Sequence, residues 1–430
     1  MTVIAFVIGV VILVLGLGVS IALHEIGHLL PAKLFRVRVG QYMVGLGPTL
    51  WSRRIGETTY GVKALPLGGF ISMSGMYPPS PRETRLGGGF FATMVQDARA
   101  ANDETLVGRG DRRAFYELPV WRRIVVMLGG PIMNLLLAIV FMTIVLSGIG
   151  VQTPTTTIAA VDACVLPATE NRGACEPGDP QSPAAAAGIR PGDRIVSVAG
   201  TAVADFEAAT KIIQASPGER LDVVIERDGE RRTLEVTPLL AERSITKADG
   251  TTTTAEVGFV GMTATVAPVP QPIWEGAATT FERTGQVVGI IGQLPARVYQ
   301  TAVDTFSGAG RDPNGPLSVV GAGRLAGEVA VVDAPILNRA AAILELLAAL
   351  NIALFVFNLV PLLPLDGGHV VVALWDGVKR AWARLFRRPP PRPVDATRLV
   401  PLTLIVVVAL IGMGGVLILA DIVNPVKLLG

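Results

Sequence analysis

Histidine, cysteine and net charge are all scarce in this chain. Its 430 residues include 3 His and 2 Cys, and the formal net charge is only +2. A nearly balanced charge argues against nucleic acid as a partner. Charged residues are absent between Val3 and Leu23, and the segment also lacks the basic start and the small-residue cleavage site of a signal peptide. We therefore expect it to be a membrane span.

Four charge-poor windows predict membrane spans. They lie at about 3–31, 124–149, 346–366 and 399–420, and about 20 apolar residues are enough to cross a bilayer core. Hydrophobic residues make up 50% of the chain, yet 17% of the residues are charged. That mixture predicts a membrane protein with an inserted polar region rather than a bare helical bundle.

The charge between the windows predicts the orientation of the chain. Residues 32–123 contain 14 Lys or Arg and 7 Asp or Glu, and residues 376–398 contain 7 basic and 2 acidic residues. Residues 150–340 contain 15 basic and 22 acidic residues. By the positive-inside rule the first two segments are cytoplasmic and the third lies outside.

The first window contains the sequence His24-Glu25-Ile26-Gly27-His28. Histidines four positions apart share one face of a helix, and a Glu between them is typical of hydrolytic zinc sites. Ionisable groups are costly inside a bilayer, so their presence there favours a functional role. His24 and His28 are predicted Zn²⁺ ligands, and Glu25 is the predicted catalytic base.

Asp366, in a later apolar segment, is the predicted third ligand. A catalytic zinc usually takes three protein ligands and keeps one position open. Asp366 interrupts an uncharged run and precedes Gly367 and Gly368, which permit a close backbone approach. The alternative is that Asp366 only ends a helix at the cytoplasmic interface. His369 is expected to support the ligands or to lie at the interface rather than to bind zinc directly.

These motifs resemble the site-2 protease family of intramembrane zinc metalloproteases, in the bacterial branch that regulates sigma factors. The resemblance is carried by the H-E-x-x-H motif and by Asn358-Leu-Val-Pro-Leu-Leu-Pro-Leu-Asp366-Gly-Gly. Gly129-Gly-Pro131 with Asn134 supports it. The segments FYELPVW and VVMLGGPIMN look actinobacterial.

The resemblance implies a multi-pass enzyme of the bacterial plasma membrane, with its active site near the cytoplasmic side. Its substrates would be single-span membrane proteins, typically anti-sigma factors that another protease has already trimmed outside. Asn358 would steady the substrate backbone or the oxyanion. The implied fold is a polytopic α-helical membrane protein with a membrane re-entrant β-hairpin and an inserted extracytoplasmic PDZ-like α+β domain.

The predicted division of the chain follows from these observations. It places transmembrane helix 1 at 1–31, the re-entrant hairpin and a cytoplasmic loop at 32–123, transmembrane helix 2 at 124–149, the PDZ-like domain at 150–265, an amphipathic linker region at 266–340, transmembrane helix 3 at 341–375, a basic cytoplasmic loop at 376–398 and transmembrane helix 4 at 399–421. Within these, residues 77–118 are expected to be a flexible insertion, 273–300 an amphipathic surface helix, and Asp228-Gly229 the turn of a hairpin.

Several alternatives stay open from the sequence. Cys164 and Cys175 lie in the outward region, where they form either a disulfide or two reduced thiols. The hairpin between Val39 and Ser74 is either re-entrant or an ordinary cytoplasmic one, and the PDZ-like domain either binds peptides or is a spacer. The same zinc ligands would also suit a membrane zinc transporter or sensor, and an inactive PDZ scaffold is a further alternative.

Overall fold

The computed structural model describes residues 2–79, 89–107, 112–166, 174–246, 252–308, 310–312 and 315–426. The chain forms two compact units, one of Met1–Ile149 with Pro272–Gly430 and one of Gly150–Gln271. Within the described ranges, four helical segments are long and apolar enough to cross a membrane: Thr2–Leu34, Val120–Ile149, Ile336–Asn358 and Ala396–Val423. The prediction of four apolar spans together with β-structure is confirmed.

The first unit begins with a long helix and a hairpin. Helix α1 spans Thr2–Leu34, and strands β1 (Val39–Ile55) and β2 (Thr58–Met73) pair antiparallel across a turn at Gly56. Gly56 has a φ of 62°, which a glycine adopts without steric cost. Residues 41–44 of β1 pair both with 59–62 and with 69–72 of β2, so the hairpin folds back on itself and its 69–72 part forms an edge.

Helix α2 (Phe90–Leu106) lies where a flexible insertion was expected. This part of 77–118 is thus a helix rather than an irregular loop, and the flexibility of the segment stays a prediction. The helix is held by distant contacts, since the Arg99 guanidinium donates to Asp395 at 2.6 Å and to Thr397 at 3.1 Å. Helix α3 (Val120–Thr143) follows, and a π-helical stretch extends it to Ile149.

The second unit is a small α+β domain. Its elements are β3 (Val151–Val161), α4 (Pro183–Ala186), β4 (Arg194–Val198), β5 (Thr201–Ala202), α5 (Phe206–Ala215), β6 (Leu221–Arg227), β7 (Glu230–Val236), β8 (Leu239–Thr246), β9 (Thr252–Phe259) and β10 (Met262–Val269). One sheet has the order β10-β3-β4-β6-β7 with β5 beside β4, and β8 pairs with β9. Its core includes Ile158, Ile195 and Ile225, each exposed by 1% or less.

The structure confirms one local prediction for this unit and decides between two alternatives that the sequence left open. The chain turns between β6 and β7 at Asp228 and Gly229, whose φ values of 55° and 82° suit a tight hairpin, and that prediction is confirmed. Cys164 and Cys175 are joined by a disulfide with Cα atoms 6.0 Å apart. The unit extends to Gln271, six residues beyond the boundary expected at 265, because β10 pairs with β3.

The chain then returns to the first unit through six helices. They are α6 (Glu275–Ile291), α7 (Leu294–Ser307), α8 (Val319–Val331), α9 (Ile336–Asn358), α10 (Asp366–Leu385) and α11 (Val400–Val423). The single amphipathic helix expected over 273–300 is in fact two helices that break at Gly292 and Gln293. A Cβ on Gly276 would lie 2.2 Å from Thr143 Oγ1, so α6 packs directly on α3.

The helix expected over 341–375 is also interrupted. Helix α9 ends at Asn358 and α10 begins at Asp366, because Pro361 and Pro364 between them donate no backbone hydrogen bond. The chain between α9 and α10 folds back closely, since a Cβ on Gly367 would lie 2.4 Å from the Leu359 carbonyl oxygen. The break turns a continuous span into two helices with a carboxylate at the start of the second.

Candidate metal centre

His24 and His28 lie on one face of α1, near its C-terminal end. Their ring centroids are 4.8 Å apart and their Nε2 atoms 3.2 Å apart. The uncharged sequence before them favours a helix throughout, and the four-residue spacing places the two rings one turn apart. Both Nε2 atoms therefore point to the same small volume.

Asp366 reaches that volume from the N-terminus of α10. Its Oδ2 lies 3.4 Å from His24 Nε2 and 3.3 Å from His28 Nε2. This oxygen is buried and accepts no hydrogen bond from the residues that the structure describes. A buried carboxylate oxygen without a donor costs desolvation free energy, and a bound cation would offset that cost. The structure thus brings together residues more than three hundred positions apart in the chain.

The three donor atoms fit a zinc ion. Ligand bonds of about 2.0 Å in a tetrahedral site place donor atoms about 3.3 Å from one another. The three separations here are 3.2, 3.3 and 3.4 Å. Two imidazole nitrogens with one carboxylate oxygen are also a donor set that zinc accepts, and a fourth position is left free.

Helix α3 orients one of the histidines. His28 Nδ1 lies 2.7 Å from the Val126 carbonyl oxygen, and the His28 side chain is buried. A carbonyl only accepts, so the imidazole donates from Nδ1 and keeps its lone pair on Nε2. The tautomer that binds a metal is therefore fixed by the backbone of a neighbouring helix.

Glycines let α3 approach the histidines closely. A Cβ on Gly130 would lie 2.2 Å from His28 Nε2 and 2.7 Å from His24 Nε2. One on Gly27 would lie 2.2 Å from the Gly129 carbonyl oxygen. Helices α1 and α3 thus cross with their backbones in contact, as small residues permit in membrane bundles. The same crossing places the Val126 carbonyl within reach of His28.

Glu25 lies beside the donor atoms in a cleft of about 260 Å³. The cleft is lined by His24, Glu25, His28, Gly69, Phe70, Ile71, Met73, Met76, Met127, Asn358, Pro364, Asp366 and His369. The Glu25 side chain is buried, and β2 passes so close that a Cβ on Gly69 would lie 2.9 Å from its Cγ. Asn358 at the end of α9 and His369 in the first turn of α10 both face this cleft.

Tyr77 contacts His369, one of the residues that line the cleft, and sequence reasoning did not predict this contact. Its ring stacks on His369 with centroids 6.2 Å apart and planes 26° apart. The Asn102 side chain of α2 forms two hydrogen bonds with the Tyr77 backbone. The Tyr77 N–H donates to Asn102 Oδ1, and Asn102 Nδ2 donates to the Tyr77 carbonyl, each at 3.0 Å. Burial raises the pKa of the Tyr77 phenol. No sequence motif signals this contact, because it depends on where α2 packs.

Comparison with known proteins gives a consistent result. The model of peptidase family M50 matches residues 12–387. The zinc metalloprotease Rip1 of Mycobacterium tuberculosis is 34% identical over 432 residues, covering 98% of this chain and 99% of that protein. Rip1 of Mycolicibacterium smegmatis is 35% identical over 442 residues with the same coverage. The metalloprotease MmpA of Caulobacter vibrioides is 27% identical over 403 residues, with 88% of each chain covered.

These matches extend over nearly the whole length of both chains, and the family match includes α1, α3, α9 and α10, the helices that surround the cleft. The metal-ligand spacing, the four apolar spans and the full-length relatives agree. The protein therefore belongs to peptidase family M50, the site-2 protease family.

Proposed function

We propose that the protein is a zinc-dependent intramembrane endopeptidase, which cuts a peptide bond within the transmembrane segment of single-span membrane proteins such as trimmed anti-sigma factors. The observation that carries the proposal is the set of three donor atoms at tetrahedral separations beside a buried glutamate. His24, His28 and Asp366 would hold the metal. Zn²⁺ is the metal named for the relatives, which are zinc metalloproteases. Zinc, when bound, supplies Lewis acidity to the reaction.

Glu25 and Asn358 act on the substrate in this proposal. Glu25 takes a proton from the attacking water and delivers it to the leaving amine, which general acid–base catalysis requires of one positioned carboxylate. The Asn358 amide donates a hydrogen bond to the carbonyl oxygen of the scissile bond or its neighbour. His369 and the Tyr77 ring close one side of the cleft and keep bulk water from it.

The β1–β2 hairpin receives the substrate. A helical substrate hides its peptide bonds in its own hydrogen bonds, so it must be locally extended before cleavage. Gly69, Phe70 and Ile71 of β2 line the cleft, and within the part of the chain that the structure describes 69–72 pair on one side only, with 41–44 of β1. Its other edge therefore offers backbone groups for an extended segment. We infer that this hairpin is re-entrant, since its cleft-facing residues lie level with the zinc ligands of α1.

The same proposal includes the orientation of the chain in the membrane. The basic residues of 32–123 and 376–398 place those segments and the adjacent cleft on the cytoplasmic side, and the second unit outside. We infer that the second unit is a PDZ-like domain. It has a cavity of about 200 Å³ between α5 and β9 with Phe206, Ile213, Val257 and Val260 in its wall, which suits an apolar peptide side chain.

The test is cleavage of a trimmed single-span anti-sigma substrate by the full-length protein in lipid vesicles. Glu25→Gln keeps the shape of the side chain but cannot accept the proton, so it is expected to bind zinc like the wild type and to cut at least about a hundredfold more slowly. Glu104→Gln, on an exposed position of α2, is the matched control and should cut normally.

Each result discriminates between functions. Cleavage by the wild type and the control, without cleavage by a zinc-loaded Glu25→Gln, supports the peptidase. Zinc binding without cleavage of any single-span substrate would favour transport or sensing by the same ligands. A wild-type protein that binds no zinc would overturn the proposal in favour of a scaffold.

A further inference from the structure

Helix α10 carries an exposed apolar face beyond the part that lines the cleft. Trp375, Val378, Trp382 and Leu385 are exposed by 58%, 56%, 58% and 74%. Their spacing of three, four and three places them on one side of the helix. Large apolar side chains in such a stripe mark a surface that another molecule covers. The peptidase mechanism proposed above makes no use of this face.

The chain turns back along α10 and makes the stripe into a groove. Arg387 adopts a left-handed φ of 51°, and the Arg388 N–H donates to the Ala383 carbonyl at 2.7 Å. The returning segment is tied to the helix, because the Val394 N–H donates to Asp376 Oδ1 at 2.9 Å and Lys379 Nζ donates to a carbonyl of the same segment at 3.1 Å. The groove has a volume of about 540 Å³.

The lining of this groove combines apolar rings with two cations. It consists of Trp375, Val378, Lys379, Trp382, Ala383, Arg388, Pro389 and Pro391. Prolines have no N–H, so the proline wall exposes few donors that an apolar occupant would leave unpaired. The segment around it is strongly basic, with 7 Lys or Arg and 2 Asp or Glu between 376 and 398. An occupant therefore needs an apolar body and a negative head.

We propose that this groove binds one anionic phospholipid of the cytoplasmic leaflet. An acyl chain lies between the two tryptophans and the prolines. The phosphate is held by Arg388 and by the remaining N–H of Lys379, whose Nζ also lies 3.1 Å from Asp376 Oδ1. Tryptophan and basic side chains are the residues that proteins place at the headgroup level of a bilayer. The proposal rests on the cytoplasmic orientation given above, but it does not require peptidase activity.

The groove lies on a part of α10 that a buried ion pair joins to α3. Asp376 accepts from Arg123 of α3 at 2.9 Å, and their side chains are exposed by only 1% and 5%. This pair holds α10 against α3 within the stretch of the helix that lines the groove. A lipid in the groove would therefore contact the same helix that supplies the carboxylate of the metal centre.

The test uses the full chain with Trp51, Trp121 and Trp274 replaced by Phe, which leaves Trp375 and Trp382 of the 5 tryptophans. The protein is placed in phosphatidylcholine vesicles that contain a small fixed fraction of dibrominated lipid, either phosphatidylglycerol or phosphatidylcholine. Bromine quenches tryptophan only at close range. Stronger quenching by phosphatidylglycerol than by phosphatidylcholine is expected.

Paired variants locate the site. Lys379→Gln with Arg388→Gln should reduce the relative affinity for phosphatidylglycerol by roughly tenfold or more, since each cation near the surface contributes to anionic lipid binding. Arg384→Gln with Arg387→Gln removes the same charge from the end of α10 and the turn after it, at positions that do not line the groove. If the groove binds the lipid, this pair should change the relative affinity for phosphatidylglycerol by much less than the groove pair does.

The outcomes distinguish lipid binding in the groove from attraction by total charge and from the absence of a lipid preference. Equal quenching by the two lipids overturns the proposal and leaves the groove to a protein partner. An equal loss in the two double variants also overturns it, because binding would then follow total charge rather than the groove. Glu25→Gln in the same background should keep the wild-type lipid preference, so a failure of the peptidase proposal does not alter this readout.

Discussion

Gly130→Ala is the sharpest test of the site geometry. The added Cβ would lie 2.2 Å from His28 Nε2 and 2.7 Å from His24 Nε2, whereas nonbonded contacts are stable at about 3.5 Å. One imidazole must therefore move by about 1 Å, whereas metal–ligand distances in protein sites lie within about 0.2 Å of their standard values. We expect zinc affinity to fall at least about a hundredfold, which corresponds to roughly 2.7 kcal/mol.

Gly18→Ala is the matched control in this experiment. Gly18 lies in α1, the helix that carries both histidines, and a Cβ there meets no described atom within 4 Å. Both substitutions gain the same helix propensity, about 1 kcal/mol in water. Any difference between them therefore reports the contact with the histidines rather than the helix.

The assay is a chelator competition that measures zinc affinity, followed by cleavage at a buffered zinc concentration. Raising free zinc should restore occupancy in Gly130→Ala, while Glu25→Gln keeps its zinc and stays inactive. Equal zinc affinity and equal cleavage rate in Gly130→Ala and Gly18→Ala would refute this prediction. In that case α1 and α3 would be farther apart than described, or the histidines would not hold the metal.

Three further predictions concern separate parts of the chain. Tyr77→Ala should slow cleavage by about tenfold with zinc affinity unchanged, whereas Tyr77→Phe keeps the stacked ring and should cut normally; equal rates in the two variants would contradict the role of the ring. Burial opposes ionisation of Asp193, but hydrogen bonds from Arg227 and from a backbone N–H outweigh it and lower the pKa of the carboxyl below 3.8. The second unit should thus lose stability as the pH falls below 3.8 towards that lower pKa, and Asp193→Asn should remove most of this dependence in acid unfolding curves. Asp421→Asn leaves the buried Arg311 without its ion pair, so thermal unfolding should show a loss of about 3 kcal/mol, and a loss below about 1 kcal/mol would refute the pairing.

Short-range patterns in the sequence predicted much of this molecule. Uncharged runs locate the four spans, and the turn at Asp228 and Gly229 is where the dipeptide predicts it. The spacing of His24 and His28 predicts a shared helix face, which the structure shows. That these residues bind zinc with Asp366 stays a prediction, although their geometry now supports it.

Features that depend on distant contacts were not predictable. Helix α2 is anchored by an ion pair between Arg99 and Asp395, which are 296 positions apart, so its own composition suggested a flexible loop. The glycines before Pro131 were visible in the sequence only as a block. Their function becomes apparent once α1 and α3 are seen to cross there. The break after Asn358 was underestimated because apolar residues continue through the prolines.

The division of the metal centre between the two ends of the chain has a consequence for synthesis. His24 and His28 leave the ribosome early, and Asp366 follows only after the entire second unit has been made. A nascent or truncated chain that stops before α10 has the histidines and the glutamate but lacks the proposed carboxylate ligand. An enzyme proposed to cut membrane helices thus lacks that ligand while three of its own apolar spans are being made, and it is completed only when α10 follows.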